Sequence, residues 1–200
     1  MPTRPLAAFD LRLRKKRCPD GKDDTTLKAM ARFVDRLVQD GLDTPIDVVV
    51  DPVDSDLVDV RHRRLCHHWR LARRQRDGVP ASSDLNSGFL AEIDDYMVLL
   101  AKRGEDLHYL RFGRTLAKAY GRDMTGLSVD DFPTLIGQLF KSVYRLSEGY
   151  RVPVFSQHKP PPSVAVDLWL RLVVPLDETE SGKLVTAFIV CSIPIGAENA

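Results

Sequence analysis

Five histidines and three cysteines are the residues in this chain best suited to metal or nucleophilic chemistry, and only one group of them is close-set. His62 and Cys66 stand four apart, so on a helix they share a face, with His67 and His68 beside them. A helix at that spacing supplies two ligands where a structural zinc needs four. His62 also falls on an apolar seam, so the favoured reading is a packed histidine beside a buried cysteine, and no metal site is expected. Asp94-Asp95 and Asp130-Asp131 are paired acids at element boundaries, where caps and turns favour aspartate. Arg63, His67, Arg70 and Arg74 line up on one helical face. That face could receive an anion or an acidic partner, or simply be the solvated side of a docking helix. The run 12–17, Arg-Leu-Arg-Lys-Lys-Arg, is a second basic feature. Phosphate cradles of the GxxxxGK or GxGxxG kind, GxSxG elbows and HExxH zinc motifs do not occur, so no catalytic residue is nominated and the chain is read as non-enzymatic.

Two hundred residues, 44% apolar, can bury a substantial core, and a net charge of +1 argues against a general polyanion coat. Residues 1–80 carry 17 Lys and Arg against 13 Asp, so a basic front precedes an acidic body. No stretch is apolar enough for a membrane span, and an odd number of scattered cysteines fits a reducing compartment. A cytoplasmic protein is expected. Nucleic acid ranks last among partners, because the acidic body would repel a duplex and no base-reading motif is visible.

Residues 1–23 read as a flexible basic arm, 24–80 as a helical extension and 81–200 as the core. Within the extension, 25–40 has helical apolar spacing, and 46–50, between Pro45 and Pro52, reads as a connector or edge strand. A helix is expected over 54–76, with the seam Val58, His62, Leu65, Trp69 and Ala72 in steps of four and three. After Pro80 come a short helix, strands at 96–101 and 107–112, a short helix at 115–120 and a longer one at 134–147. Strands at 152–157, 164–176 and 184–193 close the chain. In 164–176, Leu168 and Leu170 alternate with Trp169 and Arg171. The leucines are assigned to the interior; Trp169 and Arg171 go to an outer face covered by the seam or by a second subunit.

This order, with Leu65-Cys66-His67-His68-Trp69-Arg70, Val79-Pro80, Leu110-Arg111-Phe112-Gly113-Arg114-Thr115-Leu116, Tyr120-Gly121-Arg122-Asp123-Met124-Thr125-Gly126 and Arg171-Leu172-Val173-Val174-Pro175-Leu176-Asp177, resembles a bacterial PAS-domain subfamily over residues 60–195. The resemblance implies an α+β PAS fold, a five-stranded antiparallel sheet with helices on one face, preceded here by N-terminal helices. It also implies a small interior pocket and signalling through flanking helices. The pocket candidates are Phe112, Leu139, Phe140, Val143, Leu168, Leu170 and Phe188, any of which could equally be plain core. Residues 121–131 lack the cysteine of flavin-binding relatives and 134–147 lacks the histidine of haem-binding ones, so neither covalent flavin nor haem is expected. A small apolar ligand stays open. The function implied is a non-enzymatic regulator that homodimerises through the seam and Trp169 and signals to a protein partner. The alternatives are a small-molecule sensor and a nucleic-acid binder.

Overall fold

The computed structural model describes residues 10–13, 47–132, 134–160 and 164–196. Their elements are β1 (Asp10–Leu13), β2 (Asp47–Val50), α1 (Val60–Arg76), α2 (Ser87–Glu92), β3 (Met97–Arg103), β4 (Asp106–Phe112), α3 (Arg114–Tyr120), α4 (Thr134–Tyr150), β5 (Val154–His158), β6 (Leu168–Leu176) and β7 (Ala187–Ile195). The strands make one sheet in the order β1-β2-β5-β6-β7-β3-β4, antiparallel throughout except for the parallel pair β1 and β2. An α+β architecture is therefore present, with seven strands where five were expected. The last strand, β7, lies in mid-sheet between β6 and β3.

The two additional strands come from the region read as arm and connector. β2 is an interior strand, with β1 on one side and β5 on the other. Its Val48, Val49 and Val50 are buried, which places side chains in both cores. The helix expected over 25–40 lies outside the described residues, as do Cys18 and residues 14–17 of the basic run.

Helices cover both faces of the sheet, not one. On one side α1 and α2 build a cluster of Leu65, Cys66, Trp69, Ala72 and Phe89 against Leu170, Leu172, Val174, Ile189 and Ile193. On the other, α4 and α3 pack Leu139, Phe140, Val143, Tyr144 and Leu116 against Phe112, Trp169, Val173 and Phe188. Strands buried on both faces carry near-continuous apolar runs, as β6 and β7 do.

α1 begins at an Asp59 cap whose carboxylate accepts the Arg61 N–H at 2.8 Å. This start is later than expected because 54–56 forms a separate 3-10 turn. There the Asp56 carboxylate accepts the Val53 N–H, Leu57 plugs the core and the Arg63 guanidinium donates to the carbonyls of Leu57 and Val58. The helix ends at left-handed Asp77, followed by Gly78. Glycine is required there by close approach: a Cβ would lie 2.5 Å from the Gly182 carbonyl oxygen, which accepts the Val79 N–H. The β6–β7 loop that supplies Gly182 is organised by Asp177. Its buried carboxylate accepts from the Ser181 hydroxyl, from Thr179 and from the Leu184 N–H. Burial alone would raise its pKa, but these hydrogen bonds outweigh that effect and hold it down at about 2.

Candidate functional site

Along β6 the side chains alternate between two covered faces. Leu168, Leu170, Leu172, Val174 and Leu176 meet the α1 side, while Trp169 and Val173 belong to the α4 side. Arg171 is on the α4 side as well, its guanidinium carbon 3.6 Å from the centre of the Phe140 ring. The expected assignment of this strand is thus inverted. Leu168 and Leu170 leave the interior candidate set, and Trp169 and Arg171 enter it. With apolar side chains on both faces, alternation shows that two faces exist but not which helix covers each. Of the other five candidates, Leu139, Phe140 and Val143 line one space under α4, while Phe112 and Phe188 share its apolar cluster without lining that space.

The seam covers the sheet, one of the two covers expected, but on the face of Leu168 and Leu170 and not on that of Trp169 and Arg171. His62, Leu65, Trp69 and Ala72 are buried against the chain's own sheet, so they present no surface to a second subunit. Val58 precedes the helix and is 71% exposed. Two hydrogen bonds fasten the seam: the Trp69 Nε1–H donates to the Pro175 carbonyl at 2.7 Å, and His62 Nε2 lies 3.0 Å from the Cys191 carbonyl. A carbonyl only accepts, so Nε2 carries the proton and Nδ1 is left without a partner. Burial depresses the His62 pKa to about 4. The Cys66 thiol, pushed up to about 11 by burial, faces the Pro52 carbonyl. His62 and Cys66 are therefore packing groups, and among the described residues no three His, Cys, Asp or Glu side chains are placed to hold a metal.

Two of the four residues on the basic face of α1 are spent on the protein itself. Arg63 holds backbone carbonyls, and Arg70 pairs with Asp51 at 3.0 Å and donates to the Pro52 carbonyl. Arg73 covers the Trp69 ring and donates to the Arg151 carbonyl. His67 and Arg74 are exposed. The acid pairs serve turns: Asp94 meets Arg111, Asp95 meets Arg114, Asp130 meets Lys141 and Asp131 accepts the Ser128 N–H.

The polar cluster that sequence reasoning missed sits under α4. Arg171, 6% exposed, makes one hydrogen bond among the described residues, donating to the Tyr144 hydroxyl at 3.0 Å, and no ion pair. His158, 2% exposed, lines the same space with Ser156, and its Nε2 has no partner. Burial first, and then the Arg171 charge, depress the His158 pKa to about 3, so the imidazole is neutral. Tyr144 and Tyr109 are raised, and Tyr120 is pushed up to about 12, chiefly by burial. Tyr120 stacks flat on Trp169, whose Nε1 is also buried without a partner. The space between these groups has no room for a water-sized sphere. One signal was available: an arginine between leucines, in a strand covered on both faces, must be buried on one of them.

Compared with family models, with curated proteins and with solved structures, the chain matches none. Among the described residues, no helix is long and apolar enough to cross a membrane.

Proposed function

We propose that this chain is a non-enzymatic, cytoplasmic PAS-type regulatory module. In this reading a small molecule held under α4 sets its state, and a homodimer passes that state to a protein partner. The observation that carries the reading is the polar cluster of Arg171, Tyr144 and His158 enclosed between α4 and the sheet. A core selected for stability alone has no use for an arginine that meets no carboxylate among the described residues, since burying an unpaired charge costs several kcal/mol. The order of elements from β3 to β7 supports the PAS assignment: two strands, short helices, one long helix and a three-stranded meander, in the span where the motifs resemble that family.

A regulatory role is supported by the state of the reactive groups. Burial pushes the Cys66 and Cys191 thiols up to about 11 and about 12, away from nucleophilic thiolate, and holds both buried imidazoles neutral. The dimer contact belongs to surfaces other than the seam, which the chain's own sheet occupies. Nucleic acid remains the last-ranked partner, because Arg63 and Arg70 already hold groups of the protein itself.

The test is to strip the protein by unfolding, dialyse it, refold it and melt it with and without a deproteinised small-molecule extract of the expression host. The proposal expects the extract to raise the melting temperature. Identical melting in both samples contradicts it.

A further inference from the structure

Deepening the sensing reading, on which this step rests, we infer that the space under α4 takes a small organic carboxylate. The carboxylate group would lie on Arg171 and the apolar body would take the place of the Phe140 ring.

A guanidinium has five N–H donors in a planar fork that matches a carboxylate with two parallel bonds. Among the described residues Arg171 gives one hydrogen bond, to Tyr144, and its flat face is covered by the Phe140 ring at 3.6 Å. Among the described residues no acid pairs with it, although eight other basic side chains in the protein have such pairs. His158 supplies the second, independent sign, a buried Nε2 without a partner lining the same space. As a neutral imidazole it can donate a proton from that nitrogen without adding charge. Ser156, buried beside them, sits directly across from Arg171 in the β5–β6 register. One negative charge would neutralise Arg171, and the remaining donors would saturate both of its oxygens.

The Phe140 ring lies over Arg171 where the apolar body of such a ligand would go. A ring over a guanidinium is a partial substitute for an anion, and in this proposal the Phe140 ring, carried by α4 and not by the sheet, gives way to the ligand. The ligand must therefore bring an apolar portion to refill what the ring vacates, which selects hexanoate- or benzoate-like acids over inorganic anions.

The experiment measures melting temperature with hexanoate and benzoate against hexanamide and benzamide, which keep the shape and remove the charge. The inference expects a rise of about 3–6 °C at tenfold the Kd for an acid and none for its amide. Arg171→Met should abolish the rise and melt higher than wild type without ligand, because a residue kept for binding is a liability to the empty protein. Arg171→Lys keeps the charge but loses the fork and should weaken binding about tenfold, which keeps the test decisive if the methionine variant fails to fold. Equal responses to acid and amide overturn the inference, as does an Arg171→Lys variant that binds as well as wild type. If the acids fail while the small-molecule extract raises the melting temperature, the anion is wrong and sensing stands; if both are silent, sensing falls too.

Discussion

Lowering the pH from 7 to 5 is expected to remove about 4 kcal/mol of folding stability, a large part of what a single domain has. His62 and His158 are the source. Each has a folded pKa far below its ordinary value of 6.5, at about 4 and about 3, because burial disfavours the charged ring. The unfolded chain binds a proton on each as the pH falls through 6.5, and the folded chain does not. Stability is therefore fully present above that pH and drains away below it, at about 1.4 kcal/mol per pH unit for each ring. Near His62 the charged groups are Asp59 and Arg61, and near His158 the charge is Arg171, which reinforces the shift. Denaturant titrations at pH 7, 6 and 5 should show this slope, and His62→Gln or His158→Gln alone should halve it. Stability that is flat from pH 7 to 5 would place both imidazoles in water.

Trp69→Ala should be the most damaging single change on the α1 side. The side chain is buried, fills the gap between α1 and β6, and donates to the Pro175 carbonyl. Truncation leaves a cavity worth about 3–5 kcal/mol and an unpaired carbonyl worth about 1–3 kcal/mol more, offset partly by relaxation or water. Val58→Asp, at an exposed position of the expected seam, should change stability by less than about 0.5 kcal/mol. The contrast also separates internal packing from dimer contact. If the seam packs on its own sheet, the Trp69→Ala loss does not depend on protein concentration; if it joined two subunits, the loss would grow as concentration rose. A denaturant midpoint unmoved by Trp69→Ala would remove α1 from the fold as described.

Periodicity made α1 legible. His62, Leu65, Trp69 and Ala72 recur in the steps of four and three that a helix on an apolar surface requires, and all four are buried. It did not mark where the helix starts, because Val58 fits the spacing while Leu57 is the residue the core takes. The interior cluster was half legible. Phe112, Leu139, Phe140, Val143 and Phe188 carry the expected apolar signal, whereas Leu168 and Leu170 point the other way because the sheet is covered twice. Arg171, Tyr144 and His158 come from β6, α4 and β5 and meet only through strand pairing and the docking of α4, which local spacing cannot register. The prolines around 46–50 suggest a connector or an edge strand; it is a strand, and an interior one, because Pro45 and Pro52 flank the four paired residues without interrupting them.

Native mass spectrometry of the full chain, beside the denatured mass, asks whether the interior of this regulatory module holds a small molecule on Arg171. A dimer that carries a small-molecule increment per chain, lost on denaturation and absent from Arg171→Met, is expected. Native and denatured masses that agree for wild-type protein from several expression hosts would contradict it.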